Sequence, residues 1–152
     1  MNTAILKDVA TIVGVIVGAT SLVFAAWNTN ITRRTNRARF WLDLRKFFGE
    51  HDEVHRLLRP GGQWAAPDAG PESADDWIKL EAYMGLFETC EDLLASRLID
   101  LKSFSRSYKY RVQNITANRR IVQSKLVERG QYWARFRQLA HRLGIQLPPI
   151  KS

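Results

Sequence analysis

The sequence is short of several things, and each shortage narrows what the chain can be. It has one cysteine, Cys90. A single thiol excludes an intramolecular disulfide framework and fits a reducing compartment. Cys90 stands in an apolar run with no activating partner beside it, which makes it core filler rather than a nucleophile. Three histidines leave few options for acid–base or metal chemistry. Gly61-Gly62 lacks the lysine, the hydroxyl and the spacing of a phosphate loop. No serine sits in a nucleophile elbow, no stretch alternates as a half-buried strand would, and no repeat has a solenoid's length. Nothing in the chain implies a cofactor.

Charge is missing from one long stretch. Val9 to Trp27 reads VATIVGVIVGATSLVFAAW, nineteen residues without an ionisable side chain. As a helix this is roughly 28 Å long at about 1.5 Å per residue, near the hydrocarbon thickness of a bilayer. A water-soluble helix carries a polar face; here only the hydroxyls of Thr11, Thr20 and Ser21 are polar, and they can bond back to the preceding turn. The stretch is expected to span a membrane. Arg33, Arg34, Arg37, Arg39, Arg45 and Lys46 follow it, against Lys7 before it. The positive-inside bias therefore sets residues 1–8 outside and residues 28–152 in the cytoplasm of a bacterial inner membrane. Arg33, Arg34, Arg37 and Arg39 are placed to meet anionic lipid headgroups. Ala10, Gly14, Gly18, Ser21 and Ala25 form a stripe of small residues that would let a second copy approach closely, so the chain is expected to form homo-oligomers.

About 125 residues remain beyond the span, enough for one core. Their charge is segregated. Residues 43–100 hold thirteen acids and six bases, whereas residues 101–152 hold twelve bases and one acid, Glu128. The basic third can pair with the acidic middle within one chain or between chains, or it can attract an RNA or protein partner through residues 101–147.

The periodicity is helical throughout, so the expected fold class is all-α, a membrane helix continuing into a cytosolic helical bundle. Phe40, Leu44, Phe47, His51, Val54 and Leu58 lie on one face of a juxtamembrane helix within residues 28–58. No proline or glycine separates Trp27 from Phe48, and Gly49 weakens the helix without having to end it. Residues 59–73 form a loop that opens with Pro60-Gly61-Gly62, and Trp64 can pin it to the core. The bundle is expected over residues 74–147. Ser73 with Asp76 makes a capping signature, Asp100 caps the next helix, Asn118 opens another that is interrupted at Gly130, and Gly144 ends the last. Residues 148–152 are an extended tail.

Two constellations bear on chemistry. His51 and His55 lie one turn apart, but Asp52 replaces the glutamate of the zincin motif and no third ligand is placed, so no metal site is assigned. An arginine precedes a histidine by six residues twice, as Arg45…His51 and Arg135…His141. A histidine can move a proton from a ribose hydroxyl while an arginine stabilises charge on the phosphate. These four are the catalytic candidates. Lys46 follows the first arginine and Phe136 the second, and Phe136 departs from the polar residue such a motif carries.

The run TRRTNRARFWLDLRKFFGEHDEVHRLLRPGGQW from Thr32 resembles a family of small bacterial single-pass membrane proteins. In layout the chain also resembles the membrane-bound HEPN-like accessory proteins of RNA-targeting type VI CRISPR systems. Arg45 and His51 match their motif, and Arg135 and His141 match it more weakly. The resemblance implies a HEPN-like helical domain and an oligomer that forms a pore and lowers membrane potential during phage infection. The sequence thus leads to a membrane-perturbing effector, with a membrane-tethered ribonuclease and a non-enzymatic adaptor as rivals.

Overall fold

The computed structural model describes residues 38–151, and the fold is all-α, with no strand among the described residues. Val9–Trp27, its small-residue stripe, and Arg33, Arg34 and Arg37 lie outside them. No helix among the described residues is long and apolar enough to cross a membrane. The chain divides after Leu42, and the larger unit begins at Asp43.

Residues 38–50 are helical (α1), followed by α2 (Asp52–Leu58), α3 (Ala74–Ala95), α4 (Leu101–Ala117), a single turn α5 (Arg119–Ile121), and α6 (Ala134–Arg142). The expected helix to Leu58 is interrupted at His51, whose φ of −107° and ψ of 18° leave the helical region. The break changes which aromatic faces inward. Phe48 is buried, while Phe47, expected on the apolar face, is 50% exposed. A face that ends at His51 needs Leu44 and Phe48, four residues apart, and Val54 and Leu58 then continue it from a new start.

The caps fall where the residue types place them. Ser73 Oγ accepts from the Asp76 amide at 3.1 Å and Asp76 returns a bond to the Ser73 amide at 3.1 Å, satisfying two of the amides a helix start leaves bare. Asp100 accepts from the Ser103 amide at 2.8 Å. Gly144, at φ 73°, closes the end of α6.

α3 is the central helix. Leu80, Tyr83, Met84, Phe87, Cys90, Glu91 and Leu94 are buried along it, and α6 makes its largest contact. A run of aromatic rings ties the unit together. Phe48 of α1 stacks on Tyr108 of α4 at 4.2 Å and lies 5.0 Å from Phe87 of α3, which meets Phe136 of α6 edge-on at 6.0 Å. Such pairs add roughly 0.5–1.5 kcal/mol each beyond their burial.

One side chain holds the loop between α2 and α3. Asn118 Nδ2 donates to the carbonyls of Trp64 at 2.9 Å, Ala66 at 3.4 Å and Ala69 at 2.7 Å, while its Oδ1 accepts from the Ile121 amide at 2.9 Å. Trp64 is buried beneath the loop. The helix after Asn118 is irregular. It widens into a π-helix over Val122–Val127 and tightens into a 3-10 turn over Gly130–Trp133.

Candidate functional site

The acidic middle and the basic third pair within one chain. Arg142 meets Glu91, Arg135 meets Asp92 at 3.2 Å, Arg111 meets Asp52 at 3.4 Å, Arg119 meets Asp68 at 3.5 Å and Lys125 meets Glu81. The amide of Phe136, at the start of α6, also donates to Glu88 at 3.2 Å, a carboxylate placed where a helix start favours negative charge. One side of α3 is thus a row of acceptors for the helices that follow it.

The densest grouping of ionisable and aromatic side chains surrounds Arg111 on α4. Its Nε donates to the Tyr110 hydroxyl at 3.1 Å, Nη1 to the Tyr83 hydroxyl at 3.5 Å and Nη2 to Asp52 at 3.4 Å. The guanidinium carbon stands 5.4 Å from the Phe48 ring centroid and 5.8 Å from that of Tyr110, distances that allow cation–π attraction. The side chain is 13% exposed. Two histidines border the group, His51 with its ring 5.8 Å from Tyr83 and His55 with its ring 5.5 Å from Tyr110.

The electrostatics follow from burial. His55 is held below its usual pKa by desolvation first and by the Arg111 charge second. Its Nδ1 is buried without a hydrogen-bond partner. Burial pushes the Tyr83 hydroxyl up to about 12, so it titrates far above neutrality. The group therefore presents a fixed cation, two neutral phenols and a neutral imidazole at neutral pH. It can donate hydrogen bonds to an anion, and His55 can accept a proton.

The catalytic candidates are dispersed. Arg45 is exposed on α1, while His51 is half-buried against Tyr83. Six residues along a helix turn two side chains about 120° apart, and Arg135 and His141 on α6 obey the same geometry. Arg135 is ion-paired with Asp92, and His141 is exposed beside Arg137 and the chain from Ile145 to Leu147. Arg137 donates to the carbonyls of Leu126 and Pro148. The two pairs also sit at different places on α3. His51 touches Tyr83, and Arg135 touches Asp92 nine residues on, roughly 13 Å along the axis and on the opposite side. Arg39 is exposed on α1. Among the described residues no three His, Cys, Asp or Glu side chains gather as metal ligands. Burial raises the Cys90 thiol to about 12, which leaves it inert.

Arg111 escaped sequence reading because a basic residue amid aromatics reads as an outer face. The signal was present: Phe104, Tyr108, Arg111, Val112 and Ile115 follow the inward spacing of α4. No protein family, no curated protein and no solved structure matches the chain.

Proposed function

We propose that the chain is a membrane-anchored, homo-oligomeric effector or accessory protein of bacterial antiphage defence, acting by membrane perturbation or pore formation rather than by catalysis. The anchor is Val9–Trp27, with the helical bundle cytoplasmic and Arg33, Arg34, Arg37 and Arg39 at the headgroups. The observation that carries the non-catalytic half of this reading is how the arginines nearest the histidines are used. Arg111 is bonded to Asp52, Tyr83 and Tyr110, Arg135 is paired with Asp92, and Arg137 holds two backbone carbonyls. A guanidinium spent on holding the fold stabilises a passing phosphate poorly.

A potential-sensitive dye read during induced expression tests the proposal. The full chain should depolarise the membrane, and a chain lacking residues 1–27 should not. Depolarisation by both would sink it.

One observation favours the ribonuclease rival. His51, His55, Tyr110 and Arg111 border one another, and these are residue types that move protons and bind phosphate. Cellular RNA degraded on induction, and spared when His51 and His141 are replaced by alanine, would establish that reading. Intact potential and intact RNA together would leave the adaptor.

A further inference from the structure

The irregular stretch after α5 builds a cleft against the first half of α3. Two adjoining cavities of about 500 Å³ and 380 Å³ open there, and both are lined by Glu81, Lys125 and Arg129. Either volume falls within the range of about 300–1,000 Å³ that small-molecule sites occupy. Trp77 lines one cavity, and Tyr132 and Trp133 line the other.

The backbone accounts for this grouping. A π-helix carries an extra residue per turn, and such segments recur at functional sites. Here Val122–Val127 turns Lys125 inward, where its side chain is 5% exposed, and its ammonium donates to Glu81 and lies 4.6 Å from the Trp77 ring centroid. The chain then tightens into the 3-10 turn Gly130–Trp133 and leaves Arg129 and Tyr132 at the rim.

The groups in the cleft divide into those already engaged and those at liberty. Lys125 and Glu81 neutralise each other. The Arg129 guanidinium has no ion pair or hydrogen bond among the described residues. Tyr132 is 74% exposed, and its side chain makes no hydrogen bond or ring contact among them. The cleft therefore offers an incoming ligand one unopposed positive charge and an open aromatic surface, with a half-exposed carboxylate oxygen of Glu81 as an acceptor farther in.

We propose that this cleft binds a nucleoside phosphate, with the base against Tyr132 and Trp133, the phosphate on Arg129, and Glu81 receiving N–H groups from the base edge. Stacking on aromatic side chains beside an arginine is how proteins hold a nucleobase without needing a duplex. The ligand is either a free nucleotide or one unit of a single strand. The site is separate from the Arg111 group and does not depend on whether the span forms a pore.

Calorimetry on the full chain in mild detergent, with AMP, GMP, CMP, UMP and a uridylate octamer as probes, tests it. At least one probe should bind saturably. Arg129→Ala and Tyr132→Ala should each weaken that binding about tenfold while leaving the circular dichroism and melting temperature unchanged, since both side chains are exposed. Arg106→Ala, on α4 away from the cleft, should leave it unaltered. An octamer that binds no tighter than the mononucleotide identifies the ligand as a free nucleotide. Tighter binding with a steep salt dependence identifies a strand. No saturable binding by any probe, or binding that neither cleft substitution changes, overturns the proposal.

Discussion

Glu91 Oε1 accepts a hydrogen bond from Arg142 Nε at 2.7 Å, and Glu91 is fully enclosed while Arg142 remains half-exposed. The second carboxylate oxygen of Glu91 is buried without a partner. Removing one member of a buried pair leaves an uncompensated charge, which is worse than removing both. Arg142→Met should therefore cost about 3 kcal/mol in urea unfolding, the low end of that effect because Arg142 is partly solvated. The double variant Glu91→Met with Arg142→Met should recover most of the loss. A double variant as unstable as the single one would show that the carboxylate is not the cause.

Asn118 makes a second, separable prediction. Asn118→Ala removes three loop bonds and the cap of α5 together, at a cost of about 2 kcal/mol. Asn118→Asp keeps the cap acceptor but loses the donors. It should leave the helix start intact and still raise hydrogen exchange across residues 64–70. Equal protection in wild type and Asn118→Asp would show that the loop is held by other contacts.

The bundle should weaken in mild acid through His55. Its folded pKa lies below the 6.5 of the unfolded side chain, so the unfolded state takes up the proton first. Stability is then full above about 6.5 and falls as pH drops through the window between that value and the folded pKa. Melting temperatures measured from neutral to mildly acidic pH should decline in wild type and decline less in His55→Phe. Parallel curves would remove His55 as the source.

Gly62 is a steric prediction. A Cβ built there would lie 2.3 Å from the carbonyl oxygens of Arg56 and Leu57. These are backbone atoms at the end of α2, and they cannot swing aside as a side chain would. Gly62→Ala should cost roughly 1–3 kcal/mol, whereas Gly49→Ala, where nothing lies within 4 Å of the added atom, should be neutral or slightly stabilising on a helix. Chemical denaturation of the two variants distinguishes the cases.

Oligomerisation through the small-residue stripe predicts that Gly14→Leu with Gly18→Leu reduces the mass of the detergent-solubilised complex. A complex of unaltered mass would place the contact elsewhere.

Much of the bundle was legible because its signals are local. Ser73, Asp100 and Asn118 are side chains that start helices by bonding an amide three residues on, and each does so. Cys90 and Trp64 are buried, as an apolar run and an isolated loop tryptophan foretell. The charge segregation between residues 43–100 and 101–152 resolves into pairing within the chain. What sequence reading lost were places where the period is right and the residue type misleads. Glu91, Arg111 and Lys125 all lie on inward stripes, but a charge is read outward by default, and only the distant partner decides otherwise. Phe47 and Phe48 exchanged roles because the break at His51 depends on packing against α3. Of the four candidate catalytic residues, no distance in the sequence could say that they would meet α3 on different sides.

The π-helix has a consequence for how the chain can change over time. Val122–Val127 carries an additional residue within its turns, and everything after it is phased to that addition. Deleting one residue there would let the ordinary ladder close and rotate the following segment by about 100°. Arg135, Phe136 and Arg142 would then leave their partners at once. Substitutions in this region are judged one side chain at a time, but a change in length would be judged by the whole C-terminal third.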